Sequence, residues 1–382
     1  MVKNKKNTIK KGLKLNRFDK RLEHISASVI SKIGQIDELK GRWITGAQLS
    51  PQVLGRLKRS VLITSTGAST RIEGAKLSDE DVEKMMRGIS IQKFTDRDKQ
   101  EVKGYYQLLE NVFNSWKTLR FNEGTVKHFH SELLKYVDKD QRHRGDYKKQ
   151  ENKVHMVNEA GESLGVLFDT TAAYLTPKEM QELIEWTNIA LKEKKYHVLL
   201  IVANFLVEFL KIHPFQDGNG RLSRVLTNLL LLKEGYEYMP YVSHEKLVED
   251  NKPEYYIALR KSQKTISSKK PSSANQPAGE AGASAGREDI APWFEFFFTI
   301  LIGQAKMAEE LLSKESIEKL LSEKQLAVWQ YLQDVEEAST GDLVKKTKIP
   351  RATVKQALDR LLQFKKIERI GLGRSARYRK TT

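Results

Sequence analysis

Hydrophobic residues concentrate in one run of the chain, HVLLIVANFLVEFLKI, from His197 to Ile212. The run is long enough for several helical turns, and it ends before Pro214, which lacks the N–H that a continuing helix needs. Its polar interruptions are Asn204, Glu208 and Lys211. Helical periodicity resumes in LSRVLTNLLLLKEG (222–235). The pattern predicts two packed helices joined by a short loop, with the glycines of the loop at the start of the second helix.

Apolar and polar residues alternate in KVHMVNEAGESLGVLF (153–168), on both sides of Asn158, Glu159, Ala160 and Gly161. Alternation on both sides of a turn is typical of two antiparallel strands. We therefore predict a β-hairpin inside an otherwise helical domain.

Residues 267–286, SSKKPSSANQPAGEAGASAG, contain no large apolar side chain and predict a flexible loop or linker. The strongly aromatic stretch IAPWFEFFFTILIGQAKMAEELL (290–312) follows it. Such a helix should pack back against the same domain or against a second copy of the chain, so a homo-oligomer stays an open alternative. The linker is then a surface loop of the first domain, which ends nearer Ser313 than Gly286.

The C-terminal residues predict a small domain of their own. Amphipathic helices are expected at 323–335, 340–348 and 351–364, and two short strands flank the turn GLGRS (371–375). Helix, helix, turn, helix and hairpin is the order of a winged helix. Side chains suited to phosphate and groove contacts are Arg351, Thr353, Lys355 and Gln356 in the third helix and Arg374, Arg377 and Arg379 in the hairpin. Contact with DNA and contact with protein both stay open for this module.

The pattern as a whole predicts a mainly α protein. A basic arm (1–21) comes first, a helical domain with a β-hairpin (22–312) follows, and a small winged-helix domain (313–382) ends the chain. The net charge of +17 belongs to the termini, because residues 1–21 carry nine Lys or Arg against one Asp and residues 343–382 carry thirteen against two acidic residues. Such an arm is usually a disordered tail.

Composition excludes several classes. The chain has no cysteine, so disulfides and thiolate metal sites are excluded and a reducing, cytoplasmic location is expected. No apolar segment is long enough to span a bilayer, and we expect no membrane contact. The closest histidines, His128 and His130, would point to different sides of a helix and form no metal cluster.

The loop between the two central helices, HPFQDGNGR (213–221), carries the candidate chemistry. His213 can accept a proton from a hydroxyl nucleophile near neutral pH, so it is the candidate general base. Asp217 can hold a hard cation such as Mg²⁺, which neutralises charge on phosphate oxygens. The bland alternative is a His-Pro turn before a helix start, with Asp217 and Arg221 merely solvated.

The same loop has the features of a nucleotide phosphate site. Gly218 and Gly220 let the backbone curl around a phosphate with its N–H groups inward, and Asn219 tolerates the same dihedrals. Arg221 offers a planar fork for phosphate oxygens, and Arg224, one turn on, could reach the terminal phosphates.

The residues from His213 to Arg224 resemble the signature of Fic-domain proteins, HPFx(D/E)GNGRxxR, at every specified position. The resemblance implies a helical fold in which His213 deprotonates a hydroxyl of a protein side chain. That hydroxyl, on Ser, Thr or Tyr of a target or of the protein itself, attacks the α-phosphorus of ATP. AMP is transferred and pyrophosphate leaves.

An upstream segment, Ser69 to Gly74, resembles the inhibitory motif (S/T)xxxE(G/N) of this family, with Ser69, Glu73 and Gly74 at its defining positions. The resemblance implies that Glu73 forms a salt bridge with Arg224 and spoils the pose of ATP. We expect this pair to be buried and bidentate, and therefore able to act as a switch. In some relatives the same glutamate positions a water that removes AMP.

Two more features follow from the resemblance. The hairpin occupies the position of a flap that pairs with the target segment by strand addition. Residues 253–263, PEYYIALRKSQ, resemble a YYxxL segment that borders the adenine, which makes Tyr256 a candidate base contact. Gln263 stands where relatives often have Asn.

Three functions remain open at this point. The first is an adenylyltransferase restrained by Glu73. The second is an enzyme of the same fold that transfers another nucleotide or a phosphate, or that removes AMP. The third is a DNA-binding regulator whose Fic core senses a ligand or partner.

Overall fold

The computed structural model of the protein describes residues 16–46, 51–89, 96–157, 163–266, 288–364, 366–371 and 376–381. The described chain divides into two compact units, one up to Ala308 and one from Glu309, and the division falls within the long helix that follows the linker. Among the described residues, no helix has the length and apolar character needed to cross a membrane.

The first unit is mainly helical, as predicted. In chain order, its helices are α1 (Arg17–Lys20), α2 (Ala27–Gly46), α3 (Pro51–Ile72), α4 (Asp79–Met86), α5 (Asp96–Ser115), α6 (Glu123–Leu133), α7 (Thr176–Glu193), α8 (Val198–Ile212), α9 (Asn219–Lys233), α10 (His244–Asp250), α11 (Lys252–Gln263) and α12 (Ala291–Leu320). Short 3₁₀ turns lie at Asp138–Asp140, Ala173–Leu175 and Met239–Tyr241. The predicted linker, 267–286, lies outside the described residues.

Helix α8 is the centre of this unit, because nearly all of its side chains are buried and it packs against α7 and α9. The predicted pair of helices and the loop between them are therefore confirmed. Helix α12 packs on the same core, as expected from its aromatic residues. The Trp293 indole N–H donates to the carbonyl of Ala203 in α8 at 2.8 Å, and Gln304 donates to the Val242 carbonyl at 2.7 Å.

The expected N-terminal tail is wrong for its last residues. Residues 1–15 lie outside the described part, but Phe18 is buried and Arg21 inserts beside α8. Arg21 donates to Asn204 at 3.2 Å and pairs with Glu208 at 2.8 Å. A charge on a buried helix needs such a partner, so the polar interruptions of the apolar run are what hold this segment in place.

The predicted hairpin is confirmed as β1 (Lys153–Val157) and β2 (Ser163–Asp169), which pair antiparallel. The pairing register runs from Lys153 opposite Asp169 to Val157 opposite Ser163, with two irregularities. The predicted turn residues, Asn158 to Gly161, lie outside the described residues.

The second unit has the predicted winged-helix order. Its elements are α13 (Glu323–Gln333), β3 (Ala338–Ser339), α14 (Thr340–Thr347), α15 (Arg351–Gln363), β4 (Ile367–Ile370) and β5 (Arg377–Lys380). The strands form an antiparallel sheet in the order β3-β5-β4, in which β3 is a strand that the sequence did not predict because it has only two residues. Val354, Leu358 and Leu361 of α15 are buried in the core of this unit.

Candidate active site

The α8–α9 loop is held in an unusual backbone path. His213 closes α8 with a positive φ of 51°, and its N–H donates to the Phe209 carbonyl at 2.9 Å. Gly218 precedes α9 with a φ of 78°, a conformation that glycine adopts without strain. The first turn of α9, which starts at Asn219, therefore lies at the loop, and the N–H groups of a first helical turn have no partner within the helix itself.

Asn219 makes this path rigid. Its side-chain oxygen accepts the Phe215 N–H at 2.9 Å, and its amide group donates to the Phe215 carbonyl at 2.8 Å. The side chain is buried. Asn219 was predicted as an ATP contact, and in the structure its side chain fixes the loop; any contribution to ATP would come from its backbone.

The surroundings of His213 give its ring the protonation state that a general base needs. Its ring is partly exposed, and Nδ1 lies 3.4 Å from the Leu210 carbonyl, which favours a proton on Nδ1 and a free lone pair on Nε2. Burial and the nearby Lys148 cation lower the pKa of His213 to about 4. The imidazole is therefore neutral, and able to take a proton, at neutral pH.

Asp217 is ionised, and its carboxylate lies close to two arginines. Burial alone would raise its pKa, but Arg221, the Gly218 N–H and Arg97 together lower the pKa. Its carboxylate lies 3.0 Å from Arg97 and 3.2 Å from Arg221, and 36% of the side chain is exposed. The described residues contain no group of three or more metal-ligating side chains. A single partly exposed carboxylate is compatible with Mg²⁺, which takes few protein ligands and keeps waters or substrate phosphates.

Arg221 is committed within the protein. Its side chain is only 3% exposed and pairs with Glu101 of α5 at 2.8 Å as well as with Asp217. The structure thus gives Arg221 the role of orienting the Asp217 carboxylate. A direct contact with ATP phosphates stays a prediction.

Arg224 is captured by the upstream motif. Its Nη2 donates to the Glu73 carboxylate at 2.7 Å and to the Ser69 carbonyl at 2.9 Å, while its Nε donates to the Ser69 hydroxyl at 2.8 Å. The expected bidentate carboxylate pair is wrong, because Ser69 takes the second edge of the guanidinium. Arg224 is buried, whereas the Glu73 side chain, just after α3, is one-third exposed.

Gly220 lets Glu73 reach the N-terminus of α9. A Cβ at this position would lie 2.3 Å from the Glu73 carboxylate oxygen. Gly74, which follows Glu73, has a φ of 103° and turns the chain away after α3. The two predicted motifs therefore meet at one point, where the Glu73 carboxylate lies against the backbone at the N-terminus of α9.

Tyr256 lies on α11 on this side of the molecule. Burial and the neighbouring Glu73 raise the pKa of its hydroxyl. Its ring is partly exposed and packs edge-on against Tyr255, with 5.2 Å between ring centroids. Gln263 is buried and donates to the Val207 carbonyl at 3.3 Å, so its side chain joins α11 to α8. The adenine contact of Tyr256 stays a prediction.

His130 belongs to the site, although no sequence pattern indicated a role for it. Its ring stacks on Phe215 with 3.8 Å between centroids, and Nδ1 accepts the Gly145 N–H at 2.8 Å. The proton must therefore be on Nε2, which donates to the Asp217 carbonyl at 3.0 Å. Burial lowers the pKa of His130 to about 4, which keeps the ring neutral. His130 fixes the backbone that carries the metal-binding candidate.

Two parts of the chain match known families. Residues 120–231, which contain α6 to most of α9, match the Fic/DOC family. Residues 321–381 match the C-terminal domain of the transcriptional regulators that are called DIP2311-like. The helical fold and the loop at α9 thus define a Fic domain, with a winged-helix domain after it.

Two relatives resemble the chain over the Fic region. A probable protein adenylyltransferase of Aquifex aeolicus is 31% identical over 84 residues, which cover 22% of this chain and 25% of that protein. A Fido domain-containing protein of Dictyostelium discoideum is 37% identical over 95 residues, which cover 23% of this chain and 59% of that protein. The similarity thus spans only part of either relative.

Solved structures share the fold over a longer stretch. A Fic family protein of Desulfovibrio desulfuricans has a TM-score of 0.58 and 23% identity, over 94% of this chain and 97% of that one. A signalling protein of Bacteroides thetaiotaomicron that contains a Fic domain has a TM-score of 0.58 and 24% identity, over 74% of this chain and 98% of that one. At these identities the likeness establishes the fold.

Proposed function

We propose that the protein transfers AMP from ATP to a hydroxyl of a protein side chain and that Glu73 restrains this activity. One observation carries the proposal. A neutral His213 lies in the loop that leads into the N-terminus of α9, and Arg224 of that helix is held by Glu73 and Ser69. The site has a base, an anion-binding helix end and a captured cation.

The chemistry assigns one task to each group. His213 Nε2 takes the proton of a Ser, Thr or Tyr hydroxyl as the oxygen attacks the α-phosphorus. The bond from that phosphorus to the bridging oxygen breaks, and pyrophosphate carries the charge away. Asp217 would hold Mg²⁺, which supplies charge neutralisation when it is bound. The N–H groups of Asn219 and Gly220 bind phosphate oxygens, and Arg224 binds the terminal phosphate once Glu73 releases it.

Removal of AMP by the same site is the nearest alternative. Glu73 lies at the edge of the site with one-third of its side chain exposed, so the carboxylate could hold a water. We expect label from α-labelled ATP, and none from γ-labelled ATP, on the Glu73→Gly protein incubated with Mg²⁺. Label from the γ-position alone would indicate phosphate transfer. Label that the wild type removes from the modified variant would indicate AMP removal.

A second candidate function, DNA contact, rests on the winged-helix unit. Arg351, Lys355 and Gln356 are exposed on α15, which presents them as a recognition helix would. The β4–β5 hairpin supports DNA contact less than expected, because its arginines are already paired with acidic residues. Arg377 pairs with Glu337 at 2.9 Å, and Arg379 pairs with Glu368. Thr353 is only partly exposed, and Arg374 lies outside the described residues.

Fluorescence anisotropy with a short DNA duplex tests this contact. If α15 contacts phosphates, affinity falls as salt rises, and the R351A/K355A variant binds about tenfold more weakly with a shallower salt slope. The matched control is R42A, which removes an exposed arginine of the first unit that pairs with Glu38. Equal binding by all three proteins would exclude α15 as the contact.

A further inference from the structure

A buried lysine lies beside the catalytic loop. Its cation helps to lower the pKa of His213, but the transfer chemistry above gives it no contact with the nucleotide or the acceptor. Lys148 is 4% exposed, and its ammonium group donates to Asn152 at 2.8 Å, Thr170 at 2.9 Å and the Ile212 carbonyl at 3.1 Å. Burying a cation is costly unless its hydrogen bonds are satisfied, and here three acceptors surround it. A hydrophobic residue of similar length would have filled the space without that cost.

Lys148 contacts the chain on both sides of His213. Its ammonium group holds the carbonyl of Ile212, directly before the histidine, and its backbone N–H donates to the carbonyl of Pro214, directly after it, at 2.8 Å. His213 has a positive φ, which is unfavourable for a residue with a side chain and persists only when the surroundings enforce it. The two contacts of Lys148 hold the carbonyl groups on either side of His213, in addition to the bond from the His213 N–H to Phe209.

The other contacts of Lys148 reach the hairpin. Asn152 directly precedes β1, and Thr170 directly follows β2, so the two residues form the base of the hairpin. The Thr170 hydroxyl donates to Asn152, and the Asn152 amide group donates to the Phe215 carbonyl at 2.9 Å. The hairpin base is therefore joined to the catalytic loop at Ile212 by the ammonium group and at Phe215 by the amide.

We propose that Lys148 is a positioning residue that fixes the hairpin base relative to His213, so that an acceptor segment paired with the hairpin places its hydroxyl at the base. This inference rests on the proposed transfer of AMP. The lysine touches neither nucleotide nor acceptor. Its effect on the rate comes mainly from geometry, because burial is the larger cause of the lowered pKa of His213. A displacement of about 1 Å in a reacting pair can lower a rate by about a hundredfold.

The test compares two neighbouring lysines in the Glu73→Gly background. Lys148→Met removes the ammonium group, and the matched control is Lys149→Met, since Lys149 is 83% exposed. We expect Lys148→Met to lower kcat for AMP transfer to the acceptor by about ten- to a hundredfold, with little change in KM for ATP. Lys148→Arg, which keeps a charged donor, should recover part of kcat. Lys149→Met should leave both constants unchanged.

A measurement without turnover separates this inference from the proposed function. Amide hydrogen exchange of Lys148→Met should accelerate at the hairpin and at residues 212–216, and stay unchanged in α9. If Glu73→Gly transfers no AMP but this exchange pattern appears, the proposed function fails. The inference that Lys148 holds the hairpin base and the loop together then still stands. If kcat is unchanged, or if ATP affinity and global stability fall together with kcat, the positioning role is wrong.

Discussion

Replacing Glu73 with glycine is expected to raise the rate of AMP incorporation from α-labelled ATP by about ten- to a hundredfold. The carboxylate holds Arg224 through a charged hydrogen bond at 2.7 Å, and such a bond contributes about 1.5–3 kcal/mol. Its removal frees Arg224 for the terminal phosphate and clears the space in front of Gly220. The measurement is label on the protein over time, with equal protein and ATP concentrations.

Two variants make this result specific. Ser69→Ala removes the acceptor for Arg224 Nε while Glu73 stays, so it should activate less than Glu73→Gly. Glu80→Gly removes an exposed carboxylate of α4 that pairs with Lys84 in a surface salt bridge, and it should not activate. If Glu73→Gly and the wild type incorporate AMP at the same rate, Glu73 is not an inhibitor.

The parts of the fold that the sequence predicted well are those with local signals. Helix α8 ends just before Pro214, α9 begins directly after Gly218, and the alternating stretch contains the two strands β1 and β2. The helices of the winged-helix unit appear within two residues of their predicted ends. These features depend on dihedral preferences and periodicity over a few residues, which a sequence displays directly.

The parts that the sequence did not predict depend on partners far along the chain. Arg21 finds Glu208, 187 positions away, and His130 finds the carbonyl of Asp217, 87 positions away. A signal existed in the first case, because the charge of Glu208 within an apolar helix requires a buried partner. It did not exist for His130 or Lys148, because the residues around them in the sequence indicate no buried partner.

The candidate site divides in the same way. The contiguous motif supplied His213, Asp217 and the glycines, and the structure brings them to one helix end. The sequence could not show that Arg221 is committed to Glu101, since that contact joins α5 to α9. Nor could it show that Ser69 takes one edge of Arg224. The sequence therefore predicted the roles that follow from the chemistry of each residue. It did not predict which hydrogen-bond donors of these residues are already occupied by other parts of the protein.

Replacing His213 with alanine in the Glu73→Gly background is expected to lower AMP transfer by about 10²- to 10⁴-fold, the usual contribution of a general base. ATP binding, measured by calorimetry, should persist because the phosphate contacts come from α9. His197→Ala is a suitable control, since that histidine caps α8 and pairs with Asp37 away from the loop. Full transfer by His213→Ala would show that another group takes the proton.

The low pKa of His213 gives this base a distinct pH dependence. An ordinary histidine has a pKa of about 6.5 and is largely protonated at pH 5, when it can no longer accept a proton. Since burial and Lys148 lower the pKa of His213 to about 4, the imidazole should stay neutral from pH 8 down to about pH 5 and become charged only below that range. NMR of the imidazole carbons should show a flat chemical shift over this interval in the nucleotide-free protein. A midpoint near pH 6.5 would mean that the loop is open to solvent and that the base is not held as the structure shows.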